Sequence, residues 1–248
     1  MAGLDWLIAR PVAHRGLHDA AAGVIENMPS AFRAAINGGY AIECDVQVSA
    51  DGEAMVHHDV ALGRLTEGRG ELRALTSAEL KRVPFRATAE HMITLGELCD
   101  LVGGQVPLVV EIKSWFDAEA RLLARTADVL RGYVGPAAAM SFDPYLVEAL
   151  RASAPQLTRG IVAERWYDDP DWAPLSAARK QVWGNLLHAF RTRPHFIAYD
   201  IEDLPALAPL TARYVFGLPL LTWTVRTLPQ RQRAARWASQ MIFEEFRP

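Results

Sequence analysis

The sequence has few of the features that mark extracellular, membrane-spanning or disulfide-linked proteins. Only two of its 248 residues are cysteine, Cys44 and Cys99, and they do not form a CxxC arrangement. This argues against a disulfide framework and favours a reducing compartment. No segment approaches the roughly 20 apolar residues that a membrane-spanning helix requires. The first residues include Asp5 and no long apolar run, unlike a secretory signal. We therefore expect a soluble, cytoplasmic protein without a membrane span.

An excess of charge of one sign is also lacking. The chain has 26 Lys and Arg against 29 Asp and Glu, a formal net charge of −3, and no basic block. This balance argues against nucleic acid as the partner and leaves a small molecule as the expected one. Hydrophobic residues make up 50% of the chain, which is enough for a sizeable core and excludes global disorder. The sequence carries no information on the oligomeric state.

Short apolar runs alternate with segments of helical periodicity along the chain. The apolar runs predict eight strands, at residues 11–14, Ala41–Val48, Leu108–Ile112, Ala137–Ser141, 159–163, 196–201, 218–225 and Gln240–Phe243. The periodic segments predict seven helices, at Pro29–Asn37, 94–102, 118–130, 144–152, 177–189, 204–214 and 229–238. Eight strands that alternate with helices in about 250 residues are typical of a closed (β/α)₈ TIM barrel.

Two departures from an ideal barrel are visible. Asp51 and Gly52 lie between two extended runs, which predicts a β-hairpin that extends the second strand. An insertion at about residues 58–107 follows the hairpin, within a single predicted barrel domain of residues 1–248. Few residues follow the eighth strand, so we expect no eighth helix, and residues 4–9 are one candidate to cover the gap.

Three acidic residues lie on two predicted strands that follow each other in the chain. Glu43 and Asp45 are two positions apart and therefore point to the same face of strand two, whereas Cys44 between them faces the helices as an inert core residue. Glu111 lies on the neighbouring strand three. Carboxylates on one inward face repel each other unless a proton or a cation intervenes. Three of them suit a hard divalent ion, Mg²⁺ or Ca²⁺ with Mn²⁺ as a further candidate, better than zinc. Pairing of one acid with an Arg or Lys is the alternative.

Two histidines follow strand segments that end at the same face of the predicted barrel. His14 ends strand one and His58 follows the hairpin of strand two, so both are candidates for general acid and base. His57 should point away from His58 in an extended segment. The other histidines are assigned to the surface or to packing: His18, His91, His188 and His195.

Cationic and aromatic residues accompany these groups. Arg15 and Lys113 would either neutralise the carboxylates or bind an anionic substrate such as a phosphate. Trp223 on strand seven is a candidate for substrate contact or for core packing. Trp115 and Phe116, in a loop after Lys113, would form an apolar wall of the pocket or be covered by the insertion.

The segment before the first predicted helix carries two further polar candidates. Glu26 and Asn27 precede Pro29 and Ser30, which is a good helix-start sequence. We predict a capping role for Asn27. Glu26 would instead hold a catalytic side chain or contact the substrate.

In their order and spacing, these residues resemble the glycerophosphodiester phosphodiesterase family. The matching segments are His14-Arg15-Gly16, Glu26-Asn27, Glu43-x-Asp45, Asp51-Gly52, His58-Asp59, Leu62-x-Arg64, Leu75-Thr76, Glu79-Leu80, Thr94-Leu95, Glu111-Ile112-Lys113, Ser141-Phe142-Asp143-Pro144 and Trp223-Thr224-Val225. The resemblance is dense over residues 12–115 and sparse afterwards.

The resemblance implies a TIM barrel that hydrolyses glycerophosphodiesters to glycerol 3-phosphate and an alcohol, a reaction of lipid and glycerol metabolism. It also implies that His14 and His58 are catalytic, that Glu43, Asp45 and Glu111 hold the metal, and that Arg15 and Lys113 contact the phosphate or stabilise charge there. The chain departs from the family pattern at His57 and in its C-terminal sequence, which reads Ile-Phe-Glu-Glu-Phe-Arg-Pro.

Three alternatives stay open. A lysophospholipase D or a sphingomyelinase-like enzyme would share the metal and the histidines and act on lipids. A non-catalytic binding protein would retain the barrel, although no catalytic residue is missing. A phosphate-binding barrel enzyme of another pathway would need a Gly-rich loop after strands seven and eight, which the sequence lacks.

Overall fold

The structure, a computed structural model, describes residues 3–117 and 119–248. Its sheet has nine strands: β1 Val12–Ala13, β2 Ala41–Val48, β3 Ala54–Val56, β4 Leu108–Ile112, β5 Ala137–Ser141, β6 Thr158–Ala163, β7 Phe196–Asp200, β8 Leu220–Val225 and β9 Gln240–Phe243. Eight of them are parallel and follow the order β1-β2-β4-β5-β6-β7-β8-β9, and pairing of β9 with β1 closes the ring. The predicted (β/α)₈ barrel is confirmed.

The helices lie mostly between consecutive parallel strands. They are α1 Asp5–Ile8, α2 Pro29–Asn37, α3 Ser77–Leu80, α4 Leu95–Val102, α5 Arg121–Gly132, α6 Pro144–Ser153, α7 Ala177–Gly184, α8 Ala189–Thr192, α9 Leu207–Tyr214 and α10 Leu228–Trp237. Short 3₁₀ turns occur at Ala20–Ala22, Leu72–Ala74 and Pro170–Trp172. Among the described helices, none is long and apolar enough to cross a bilayer.

The hairpin after β2 is also confirmed. β3 runs antiparallel to β2, with Val48 opposite Ala54. Gly52 in the turn has φ +83°, a left-handed conformation that glycine adopts without a steric penalty. The Asp51 carboxylate accepts hydrogen bonds from the backbone N–H and the hydroxyl of Ser77, which fixes the turn against α3.

Three predicted helix boundaries are wrong by three residues or more. The helix predicted from residue 204 begins at Leu207. The helix predicted over 177–189 is two helices, because α7 ends at Gly184 and Leu186 has φ +55°. A Cβ on Gly184 would lie 2.9 Å from the carbonyl oxygen of Glu164. Glycine is therefore required where the end of α7 approaches this backbone closely. The helix predicted from residue 118 begins at Arg121, and Ala118 itself lies outside the described residues.

The strands separate two apolar layers. Along β2, Ile42 and Cys44 pack toward the helices, whereas Ala41 joins the cluster inside the barrel. Cys44 is fully buried, and burial raises the pKa of its thiol, in agreement with an inert core role. This alternation sends Glu43 and Asp45 to the inside of the barrel.

The ends of the chain cover different parts of the barrel. Leu7 of α1 packs into the interior cluster with Val12, so residues 4–9 do not cover the outside of the last strand. No helix follows β9 in the described chain, as predicted. Instead, the rings of Tyr40 and Phe246 pack against Phe243, with centroids 5.0 and 5.5 Å away.

Candidate active site

Three acidic side chains converge inside the barrel. Glu43 and Asp45 lie on β2 and Glu111 lies on β4, where the parallel register places Asp45 directly opposite Glu111. Their exposed fractions are 1%, 1% and 7%. One carboxylate oxygen from each lies within 4.8 Å of the others. The structure therefore brings together the three residues that the sequence predicts as metal ligands.

Two cations contact this cluster. The Lys113 Nζ lies 2.8 Å from the Asp45 Oδ1 and 2.7 Å from the Glu111 Oε1. The Arg15 Nε lies 3.2 Å from the Asp45 Oδ2. Burial alone would raise the pKa of Asp45, but Lys113, His58 and Arg15 hold it well below its ordinary value. Arg15 and Lys113 therefore neutralise the acids, which is one of the two roles predicted for them from the sequence.

The negative charge of the Glu43 carboxylate is only partly balanced by the neighbouring cations. Its Oε2 accepts a hydrogen bond from the Arg15 backbone N–H at 2.9 Å, but its buried Oε1 has no hydrogen-bond partner in the described chain. Burial, together with Asp45 and Glu111, raises the pKa of Glu43 well above its ordinary value. An unsatisfied buried carboxylate oxygen beside two further carboxylates fits a bound cation.

A tight turn after β1 brings Arg15 to the acids. Gly16 has φ +79°, and a Cβ there would lie 2.9 Å from the backbone carbon of Ala31. Glycine is therefore required where this turn packs against α2. Glu26 accepts a hydrogen bond from the Arg15 guanidinium at 2.7 Å and is also bound by Arg64. Glu26 thus holds a site residue, which is one of the two roles predicted for it from the sequence.

The capping role predicted for Asn27 is wrong. Met28 precedes α2 at the cap position, without a side-chain cap. Asn27 is 1% exposed with φ +58°, and its Nδ2 donates to the Asp45 Oδ2 at 3.0 Å. Asparagine tolerates this left-handed conformation better than most residues, so it can turn its amide inward and fix the Asp45 carboxylate.

His14 is held by Glu244, which is not among the site residues predicted from the sequence. Its Nδ1 lies 2.5 Å from the Glu244 Oε2, and its Nε2 lies 4.0 Å from the Glu43 Oε2, so Nε2 faces the acid cluster. Glu244 also contacts the His18 Nε2 at 3.3 Å and accepts from the Arg226 Nε at 2.6 Å. His18 therefore contacts the same carboxylate as His14, which corrects the prediction that His18 lies at the surface or serves only in packing. The signal was present, because Glu244 directly follows the last strand.

His58 is oriented in a similar way. Its Nδ1 lies 2.9 Å from the Asp59 Oδ1, and Arg64 holds the Asp59 carboxylate through contacts of 2.6 and 2.9 Å. His57 points to the opposite side, where it is 2% exposed and packs edge-on against Phe85 at 6.3 Å. The predicted opposite orientation of the two rings is confirmed.

All eight residues predicted for the site line one cavity of about 240 Å³: His14, Arg15, Glu43, Asp45, His58, Glu111, Lys113 and Trp223. The cavity also contacts Phe142 and Asp200 on its other side. Trp223 is half-buried, and its ring centroid lies 5.4 Å from that of Phe142.

The two loop aromatics do not line this cavity. Arg73 of the segment after β3 stacks on Trp115 at 3.7 Å, which agrees with covering by the insertion. Phe116 packs against Trp172 and Trp183, with centroids 6.1 and 5.6 Å away.

Comparison with known proteins identifies the family. The model of the glycerophosphoryl diester phosphodiesterase family matches residues 14–244. The chain belongs to this family. The matched range of this family member includes all of the predicted site residues and Glu244. The resemblance described from the sequence motifs is confirmed.

Individual relatives match over shorter regions. A glycerophosphodiester phosphodiesterase of Caldanaerobacter subterraneus is 30% identical over 161 residues, which are 61% of this chain and 65% of that protein. Human glycerophosphodiester phosphodiesterase 1 is 38% identical over 74 residues, 29% of this chain and 21% of that protein. The matches thus span less than two thirds of the length of these relatives.

Solved structures share the fold over most of the chain. An Oleispira antarctica phosphodiesterase, solved with the product sn-glycerol-3-phosphate, has a TM-score of 0.75 at 20% identity and covers 94% of this chain and 91% of its own. A glycerophosphodiester phosphodiesterase of Thermotoga maritima has a TM-score of 0.70 at 22% identity and covers 94% of each chain. At such identities the similarity establishes the barrel fold.

Proposed function

We propose that this protein hydrolyses glycerophosphodiesters to sn-glycerol 3-phosphate and a free alcohol. One observation carries the proposal: two histidines, each oriented through Nδ1 by a carboxylate, line the same cavity as three clustered acids. Membership of the phosphodiesterase family supports it. The product held by the Oleispira antarctica enzyme is the one that this reaction would release.

Glu43, Asp45 and Glu111 are the residues that would hold a divalent cation. All three offer carboxylate oxygens, which favours Mg²⁺, Mn²⁺ or Ca²⁺ over zinc. When bound, such an ion supplies stabilisation of negative charge on the phosphoryl oxygens. Arg15 and Lys113 line the same cavity and add fixed positive charge beside the phosphate.

The two histidines supply the proton transfers. Because a carboxylate binds Nδ1 of each ring, Nε2 is the atom left to face the substrate. One imidazole takes the proton of a glycerol hydroxyl as its oxygen bonds to phosphorus. The bond from phosphorus to the alcohol oxygen breaks, and the other imidazole, in its protonated form, gives a proton to the departing alkoxide. Water then opens the resulting cyclic phosphate, with the roles of the two imidazoles exchanged.

Lipid substrates receive no support from the two loop aromatics that the sequence offers for an apolar mouth. The apolar mouth expected of a lysophospholipase D or sphingomyelinase-like enzyme would use Trp115 and Phe116. These side chains instead contact Arg73 and the Trp172 and Trp183 rings. We therefore favour water-soluble glycerophosphodiesters.

The proposal is tested by product analysis. Purified protein with Mg²⁺, Mn²⁺ or Ca²⁺ is incubated with glycerophosphocholine, glycerophosphoglycerol or lysophosphatidylcholine. A coupled dehydrogenase measures sn-glycerol 3-phosphate, and a coupled oxidase measures choline, which lysophosphatidylcholine would release together with lysophosphatidic acid. We expect release of sn-glycerol 3-phosphate from the two glycerophosphodiesters, in a one-to-one ratio with the alcohol. Folded protein that releases none of it with any of these ions would overturn the proposal.

A further inference from the structure

The cavity has a second polar wall across the barrel from the acid cluster. In the ring of eight parallel strands, β7 lies four strands from β2, and β8 lies four strands from β4. Asp200 at the end of β7 and Trp223 on β8 therefore face the carboxylates of β2 and β4 across the barrel. Phe142, which follows β5, lines the same cavity.

Asp200 is a carboxylate without a cationic partner. Its Oδ1 accepts a hydrogen bond from the Glu202 backbone N–H at 2.6 Å, and no ion pair involves it in the part of the chain that the structure describes. The charged neighbours that line the cavity are already paired. Arg226 lies 2.6 Å from the Glu244 carboxylate, and Glu202 lies 2.7 Å from the Arg233 guanidinium.

The electrostatic setting of Asp200 agrees with this geometry. Burial, together with Asp203 and Glu202, raises the pKa of Asp200 to about 6, and the hydrogen bond from the Glu202 backbone N–H and the charge of Arg226 only partly oppose the shift. A partly buried carboxylate of this kind is stabilised by a ligand that brings its own positive charge.

Trp223 lies directly opposite Asp200 in the register of β7 and β8, and Phe142 packs against Trp223. The Phe142 and Trp223 ring planes meet at 82° with centroids 5.4 Å apart, so they form a corner instead of a flat wall. Trp172 supports Phe142 from behind, at a centroid distance of 4.7 Å. Aromatic walls attract substituted ammonium groups, and tryptophan does so best.

We propose that Asp200, Phe142 and Trp223 form a subsite for a positively charged alcohol portion of the substrate, an amino alcohol with a substituted ammonium group. The inference rests on the proposed hydrolysis of glycerophosphodiesters. When the phosphate lies between the histidines and the acid cluster, the alcohol portion of the substrate extends toward the opposite wall. There it contacts the Asp200 carboxylate and the rings of Phe142 and Trp223. A neutral alcohol portion leaves the negative charge of Asp200 without a counter-charge, whereas a cationic one forms an ion pair with it.

A substrate pair that differs only in charge tests the subsite. One substrate is glycerophosphocholine, and the other carries 3,3-dimethylbutanol, in which a carbon atom replaces the ammonium nitrogen. We expect kcat/KM for the choline ester to exceed that for the neutral ester by at least about tenfold. The Asp200→Asn variant keeps the acceptor oxygen for the Glu202 N–H and should reduce this ratio to about 2 or less.

Two control variants separate the subsite from general charge effects. Asp128→Asn removes an exposed carboxylate on α5, and Glu202→Gln removes a cavity carboxylate that is already paired with Arg233. Both variants should retain most of the kcat/KM ratio between the choline ester and the neutral ester. An equal kcat/KM for the two esters in the unmodified protein, or an unchanged ratio in Asp200→Asn, overturns the subsite while the proposed hydrolysis stands.

If neither ester is hydrolysed, the proposed function fails and binding decides the subsite. Saturation-transfer NMR with choline and with 3,3-dimethylbutanol then measures recognition of the charge without turnover. Preferential binding of choline that is lost in Asp200→Asn supports the subsite. No preference for choline in the unmodified protein overturns it.

Discussion

The Nδ1 atom of His14 lies 2.5 Å from the Glu244 Oε2, although 230 residues separate the two in sequence. Closure of the barrel produces this contact, because β9 pairs directly with β1. Burial lowers the pKa of His14, whereas the hydrogen bond to Glu244 opposes that shift. Glu244 is thus a positioning residue that fixes the His14 ring with Nε2 toward the acid cluster.

Replacement of Glu244 should impair turnover more than substrate binding. Glu244→Gln keeps the size of the side chain but removes the charge that orients the ring, so we expect kcat to fall by about 100-fold with KM changed by less than about threefold. Steady-state kinetics with a glycerophosphodiester measures both. Glu244→Asp should recover part of kcat. Glu245→Gln, at the exposed neighbouring acid, is the control. A wild-type kcat in Glu244→Gln would remove Glu244 from the mechanism.

The two histidines that we propose as acid and base should be indispensable for turnover without being needed for the fold. We expect His14→Ala and His58→Ala each to reduce kcat by about 10²- to 10⁴-fold, the usual contribution of general acid–base catalysis. The melting temperature and the circular dichroism spectrum should change little. His91→Ala, at an exposed histidine, should keep full activity. Near-normal kcat in either active-site variant means that its assigned role is wrong.

His57 should make folding stability depend on pH. Burial lowers its pKa to about 4, so the unfolded chain binds a proton on His57 between about pH 6.5 and 4 whereas the folded chain does not. Stability is therefore lost as the pH falls through this window, by up to about 3 kcal/mol from this group. Urea unfolding at about pH 7 and pH 4.5 should show a smaller loss in His57→Leu. Equal losses in both proteins would contradict the assignment.

The preference for a cationic alcohol should itself depend on pH. Asp200, with a pKa of about 6, faces Glu202, Asp203, Arg226 and Glu164, and it becomes neutral as the pH falls. The ratio of kcat/KM for the choline and dimethylbutanol esters should therefore decrease below about pH 6. Choline does not titrate, and protonation of the histidines affects both esters and cancels in the ratio. A constant ratio from about pH 5 to 8 would argue against Asp200 as the recognising group.

Residues near the carboxyl ends of the first strands could be predicted from sequence. Parallel strands end at one face of a barrel, and side chains two apart share a side of a strand, so Glu43, Asp45 and Glu111 were expected to meet. His14 and His58 follow the same rule. The strand pattern alone is therefore sufficient to predict where these five residues lie, without knowledge of the loop structures.

Other parts of the site depend on contacts that no local pattern shows. Asn27 resembles a helix cap in sequence, but its left-handed backbone turns the amide toward Asp45. Glu244 acquires its role only when the last strand pairs with the first. Phe142 follows β5, and Asp200 is a single acid at the end of β7 without a second acid two positions away on that strand. The break after Gly184 follows from its close approach to the backbone of Glu164.

The central claim is that Glu43, Asp45 and Glu111 together hold one divalent cation that hydrolysis requires. The most direct measurement is calorimetric titration of chelator-treated protein with Mg²⁺, Mn²⁺ and Ca²⁺, with turnover recorded in parallel. We predict one ion bound per chain, no turnover before its addition, restored turnover after it, and loss of binding in Glu43→Gln and Glu111→Gln with Glu119→Gln as an unaffected control. Undiminished turnover after exhaustive chelation, or unchanged ion binding in the two variants, would contradict this account.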